Sequence, residues 1–171
     1  NLESFSEQML VDCDTVDSGC NGGLMDNAFD WISTNGGICS ESDYAYTGTD
    51  GTCQTTCSAV SGTVPTHTDV AQTEEPLAAA VTQQPVSIAI EADQSAFQRY
   101  SGGVLSSGCG TSLDHGVLAA GLDTTNGYYL VKNSWGSSWG DAGYLKISTS
   151  GNVCGITSQP SYPTVSGEVQ I

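Results

Sequence analysis

Basic side chains are almost missing from this chain. Arg99, Lys132 and Lys146 stand against 19 Asp and Glu in 171 residues, a formal charge of −16. Such a surface repels nucleic-acid phosphates and anionic headgroups at neutral pH, so a nucleic-acid partner is excluded. We read the acidity as a device for solubility, or a match to an acidic or salty compartment, ahead of attraction for basic substrates. No apolar run approaches the roughly 18 to 20 residues of a membrane span, and no charged-then-apolar leader opens the sequence, so no membrane partner is expected. A protein of the vacuole or the exterior needs a leader, and we expect that one was removed or that the sequence is incomplete. There is no Asn-x-Ser/Thr acceptor. With no Cys-x-x-Cys and only two histidines, His67 and His115, the ligand spacing of a zinc site is absent. No metal and no cofactor is expected.

The seven cysteines are Cys13, Cys20, Cys39, Cys53, Cys57, Cys109 and Cys154. At these wide spacings they read as disulfide partners, which implies an oxidising compartment: lysosome-like, vacuolar or extracellular. Because the number is odd, one cysteine is free or bonds a partner outside the chain. Hydrophobic content of 38%, 21 glycines and 13% charged residues favour turns and short strands over long solvated helices, an α+β class. A chain this long can remove roughly 70% of its unfolded surface from water, enough for one sizeable core or two small lobes.

Helical material begins almost at once, which we read as a sign of sequence lost from in front. Ser6 can cap a helix whose Met9, Leu10 and Cys13 share a face. The glycine-rich Ser18 to Gly23 turn leads to a second helix over about Leu24 to Thr34, with Leu24, Ala28, Trp31 and Ile32 inward and Asn35-Gly36-Gly37 as its stop. Ile38 to about Pro65 reads as loop, with a lobe boundary near Gly62 to Pro65. Thr73 to Pro76 is a helix start and Pro85 its stop. Strands are expected at Val86 to Glu91, Gly116 to Leu122, Gly127 to Lys132 and Gly143 to Ser148, in an antiparallel sheet or barrel. His67 reads as an exposed turn or strand residue, and most Tyr and Trp as core.

Chemistry concentrates between Leu113 and Gly140. An imidazole serves as a general base near neutral pH when a second polar group fixes its orientation. His115 and Asn133 lie eighteen residues apart at the ends of two expected strands, so a hairpin would bring them together, the Asn oxygen accepting from the ring N–H. Trp135 and Trp139 would keep water off that contact. The alternative is a histidine that only satisfies a sheet.

Asp114-His115-Gly116, then Lys132-Asn133-Ser134-Trp135-Gly136, Trp139-Gly140 and Gly143-Tyr144, resemble the histidine and asparagine regions of papain-like cysteine peptidases of the cathepsin L kind. The segments LESFSEQMLVDCD (2–14) and GCNGGLM (19–25), and the tail Val153-Cys154-Gly155 to Ser161-Tyr162-Pro163-Thr164-Val165, resemble further landmarks of the family in the expected order. The resemblance implies a papain-like two-lobe α+β fold. Residues 1–64 would be the remainder of a helical left lobe, and 65–171 a barrel-like right lobe whose tail crosses back to the left. It implies a cleft between the lobes and a cysteine endopeptidase mechanism, with His115 as base, Asn133 orienting it, and Trp135 and Trp139 shielding the pair. Gly22 and Gly23 would line the cleft and pair with an extended peptide. Leu24, Met25, Ala89, Gly116 and Gln159 would form the pocket for the second residue before the cut, with an apolar side chain preferred and Gln159 as an uncharged floor; the bland alternative for Leu24, Met25 and Ala89 is core packing.

The family's nucleophile sits in a Gln…Cys-x-Ser-Cys-Trp segment, and nothing in this sequence matches it. The resemblance therefore implies that the catalytic cysteine and the oxyanion-hole glutamine belong to a segment in front of Asn1, and that this chain alone is inactive. It also implies disulfides Cys13–Cys53 and Cys109–Cys154, with Cys39 and Cys57 left close enough to pair locally. Cys20 would bond a cysteine just before the nucleophile. The partners implied are a peptide or protein substrate, an N-terminal light fragment of the same enzyme, and a propeptide or protein inhibitor. An alternative is a non-catalytic papain-fold protein of binding or structural (silicatein-like) use. Cys20 as a substitute nucleophile is rejected, because no helix N-terminus lowers its pKa.

Overall fold

A computed structural model describes residues 3–54, 57 and 65–165. They fall into two compact units, Asn1–Thr68 with Pro163–Ile171 and Asp69–Tyr162. The boundary region expected at Gly62 to Pro65 lies almost wholly outside the described residues.

In the first unit, α1 (Glu7–Cys13) starts where Ser6 Oγ accepts from Met9 N–H at 3.0 Å. The same hydroxyl donates to Tyr44 O, so one buried group both caps the helix and ties it to the following loop. Gln8, fully enclosed, donates from Nε2 to Thr49 O at 2.8 Å and accepts from Thr47 N–H at 2.9 Å. Such a side chain is tolerated inside because its hydrogen bonds are made. α2 (Met25–Asn35) stops at Gly36, whose φ of +79° suits a residue with no Cβ. Of the four residues expected to face inward, Ile32 is buried, Ala28 and Trp31 are half-buried, and Leu24 is 48% exposed. Leu24 is the N-cap, with extended backbone (φ −113°, ψ 139°), so the helical period does not reach it. Met9, Cys13, Ile32, Ile38, Cys39 and Tyr44 form the core, stapled by Cys13–Cys53 and Cys39–Cys57. Bridges of this kind contribute roughly 2 to 4 kcal/mol each.

The strands are β1 (Pro65–Asp69), β2 (Val86–Ile90), β3 (Val104–Leu105), β4 (His115–Asp123), β5 (Tyr128–Lys132), β6 (Tyr144–Ser148) and β7 (Ser161–Val165), in the sheet order β1-β7-β2-β4-β5-β6-β3. The pairs β2–β4, β4–β5 and β5–β6 are antiparallel. The short β3 runs parallel to β6, a departure from the expected all-antiparallel sheet. β5 and β6 alternate, with Tyr129, Val131, Leu145 and Ile147 fully enclosed. Every second side chain of a pleated strand shares a face, so these four pack together with Leu77 of α3 (Glu74–Val81) and Phe97 of α4 (Ser95–Gln98). Cys109–Cys154 closes this unit. β1, β3, β7 and α4 were not among the expected elements.

Asp12 ties α1 to the loop after Tyr44. Its carboxylate accepts from Gln8 Nε2 at 2.8 Å, Tyr44 Oη at 2.7 Å and Gly51 N–H at 2.8 Å. Burial raises its pKa, but the bonds from Tyr44, Gln8 and Gly51 outweigh that and hold it below the ordinary value. A lowered folded-state pKa contributes stability that is present above the unfolded value, near 3.9, and lost as pH falls through the lower folded value. Hydrogen exchange of the α1 amides from about pH 5 to about pH 2 should lose protection steeply in the native chain and less steeply in Asp12→Asn. Equal slopes would show that Asp12 does not carry the effect.

Candidate active site

β4 opens on His115 and β5 delivers Asn133 just beyond its end. The hairpin between them turns at Asp123, whose Oδ1 accepts from Thr125 N–H at 3.0 Å and Asn126 N–H at 2.9 Å. Asn133 N–H donates to Gly143 O at 3.0 Å, which anchors the residue at the sheet's rim. His115 Nε2 and Asn133 Oδ1 are 2.8 Å apart, and Oδ1 also accepts from Ser134 N–H at 2.8 Å. The second bond identifies the oxygen, because an amide NH₂ facing a backbone N–H would leave two donors opposed. Nε2 must therefore carry the proton in this contact, and Nδ1 is left as the basic nitrogen of the neutral ring. Asn133 is 7% exposed, and its Nδ2 is buried with no partner among the described residues.

Three aromatic rings gather beside the pair. Trp135 lies 5.1 Å from His115, centroid to centroid, and Trp139 meets Trp135 edge-on at 5.3 Å. Beneath them Phe97, fully enclosed, stands 5.3 Å from Trp135, 5.1 Å from Trp139 and 6.3 Å from His115. Trp139 Nε1 donates to Gln98 O at 3.2 Å, which pins the indole over α4. Trp135 remains 37% exposed. Phe97 was not foreseen. Its only signal was a lone aromatic in a four-residue helix too short to show a period.

The approach to His115 is braced by two carboxylates. Asp114 accepts from Ala92 N–H at 2.7 Å and Asp93 N–H at 3.2 Å. Buried Glu91 accepts from Gln94 Nε2 at 3.0 Å and Ser112 N–H at 3.2 Å. Asp114, itself exposed, is thus a brace for the Ala92–Asp93 loop. His67 lies on β1, with Nδ1 2.9 Å from Asp30 Oδ1.

In the first unit Gly22, Gly23, Leu24 and Met25 share a recess of about 220 Å³ with Leu10, Val11 and Ala28. Gly22 adopts φ +104°, ψ 177°, and a Cβ on Gly23 would strike the Asp17 carboxylate. Asp17 Oδ1 in turn accepts from Leu24 N–H at 3.2 Å and Asn27 Nδ2 at 2.7 Å, so both glycines are needed for the turn itself. In the second unit Ala89 pairs with Gly116 across β2 and β4, and Gln159 is half-buried ahead of β7. Cys20 is unpaired and exposed, and its N–H donates to Asp50 Oδ1 at 2.7 Å. Desolvation, then the Asp50 carboxylate, raise its thiol above the ordinary value, the opposite of an activated nucleophile.

Residues 1–164 match the family described as papain family cysteine protease. Cysteine proteinase RD21A of Arabidopsis thaliana is 52% identical over 98% of this chain and 38% of its own length. Digestive cysteine proteinase 3 of Homarus americanus is 51% identical over 96% of this chain and 54% of its own. The solved structure of the bromelain protease from Ananas comosus in complex with the E64 inhibitor superposes with a TM-score of 0.86 at 38% identity, covering 96% of this chain and 80% of that one. The chain belongs to the papain family of cysteine proteases and has its α+β fold. It spans less than two thirds of the length of these curated relatives.

Nitrogen-15 NMR of the histidines should find neutral His115 protonated at Nε2. A ring protonated at Nδ1 would contradict the contact with Asn133 Oδ1.

Proposed function

We propose that this chain is the larger part of a cysteine endopeptidase whose base is His115. The single observation that carries the reading is the bond from His115 Nε2 to Asn133 Oδ1, at 2.8 Å beside the Trp135 ring. It turns Nδ1 into the proton acceptor. A cysteine thiol facing Nδ1 would pass it a proton and become a thiolate beside an imidazolium, the activated form of a sulfur nucleophile. The thiolate adds to the peptide carbonyl, the imidazolium gives its proton to the departing amine, and water releases the acyl group. Asn133 holds the ring in plane through both steps, while Trp135 and Trp139 limit competition from water.

The thiol comes from a segment this chain does not contain, together with the oxyanion-hole glutamine. Cys20 tethers that segment, as a light fragment, by a disulfide. The elevated Cys20 thiol and its exposure support a bonding role over a catalytic one. Gly23 makes no backbone hydrogen bond among the described residues, which suits pairing with an extended substrate. Leu24, Met25 and Ala89 favour an apolar residue second before the cut, since burial there recovers roughly 25 cal/mol per Å²; Gly116 and Gln159 complete that set. Three disulfides support a vacuolar, lysosome-like or extracellular site of action. A propeptide or protein inhibitor is the expected regulator.

The test is peptide hydrolysis by the product of the complete gene. His115→Ala should lower kcat by roughly 10²- to 10⁴-fold. Asn133→Ala should lower it by roughly 10- to 150-fold, the value of a hydrogen bond to a charged group. This chain alone should turn over nothing, and full activity in His115→Ala would refute the assignment.

A further inference from the structure

A second recess, of about 210 Å³, adjoins the catalytic candidate and is lined by Ala92, Asp93, Gln98, Asp114, His115 and Trp135. Two of the six are carboxylates, and no lysine or arginine lines it. Asp114 is fixed in orientation by the Ala92 and Asp93 N–H groups. The Asp93 carboxylate is exposed and takes Gln94 Nε2 on Oδ1 at 2.8 Å. Gln98 is held by its own bond from Nε2 to Ala92 O at 2.7 Å, so its amide is not aimed at a ligand. Trp135 offers an indole at the rim, 37% exposed.

The geometry points to a selectivity site: this recess accepts a lysine or arginine side chain on the residue that follows the scissile bond, with Asp93 as its specificity determinant. The inference rests on His115 being the base proposed above. An imidazolium that returns its proton to the departing amine must come within about 2.6 to 3.2 Å of that nitrogen. The amine belongs to the residue after the cut, so that residue's side chain lies next to whatever the imidazole borders, and here that is the recess. A long basic side chain can lay its methylenes along Trp135 and bring its charge over the ring and toward Asp93. An acidic side chain would face two carboxylates and be repelled. The same chemistry makes the discrimination salt-sensitive, because both the recess and Asp93 are open to solvent.

The test uses the product of the complete gene with fluorogenic peptides identical except for Arg, Lys, Leu or Glu just after the cut, the cleaved bond being verified by mass spectrometry. At about 20 mM salt kcat/KM should be on the order of tenfold higher for Arg or Lys than for Glu, with Leu between, and the spread should narrow at about 500 mM. Asp93→Asn should shrink the Arg-to-Glu ratio by about threefold, and Asp93→Lys should invert the preference. Equal rates for all four peptides, or a ratio untouched in both variants, would overturn the selectivity while leaving the peptidase reading intact. No cleavage of any peptide would contradict the peptidase reading and this inference with it.

Discussion

The 2.8 Å contact between His115 Nε2 and Asn133 Oδ1 is the constraint on which the rest of the site depends. An imidazole free to rotate presents either nitrogen to a reactant, and only one tautomer is useful at a time. Here the choice is made by an amide oxygen that is itself oriented by Ser134 N–H. That amide is in turn set by the rim of β5, through the backbone bond from Asn133 to Gly143. The β4–β5 hairpin therefore acts as a positioning device. Its core-facing residues Tyr129 and Val131 are fully enclosed, so the His115–Asn133 pair stands on a closely packed hairpin of the second unit.

The aromatic block explains how such a polar contact survives at a surface. A hydrogen bond open to water gains little over the bonds each partner would make with solvent. Phe97 from below and Trp135 and Trp139 from the side replace that solvent with ring faces and edges. On the approach side the Asp114 and Glu91 carboxylates bond four donors of neighbouring loops, which fixes the segment entering β4. Both kinds of support hold the ring by its Nε2 side, and Cys20, the free cysteine among the described residues, has its thiol raised by its surroundings.

Much of this was legible in the residues. The Ser6 cap, the strands β2, β4, β5 and β6, and the approach of His115 to Asn133 across a hairpin each follow from local spacing, and contiguous motifs pointed to the family. What escaped has a common physical character. Phe97 sits on a helix of four residues, where no period can form. β1 and β7 are bound to the sheet by neighbours far away in sequence, as in the contact of Thr66 Oγ1 with Thr164 O. The Glu91 brace joins a side chain to a backbone amide 21 residues on, with no pattern to announce it. Leu24 was misjudged because periodicity was extended one residue past the helix start, into an N-cap with extended backbone.

The central claim is that His115 converts a cysteine supplied from outside this chain into a thiolate. The most direct measurement is the pH dependence of alkylation of that cysteine in the complete protein, by a small neutral reagent. A thiolate–imidazolium pair predicts a fast reaction that persists well below the ordinary thiol pKa of about 8.5 and is lost in His115→Ala. Alkylation that rises only near that value, unchanged in His115→Ala, would contradict the account.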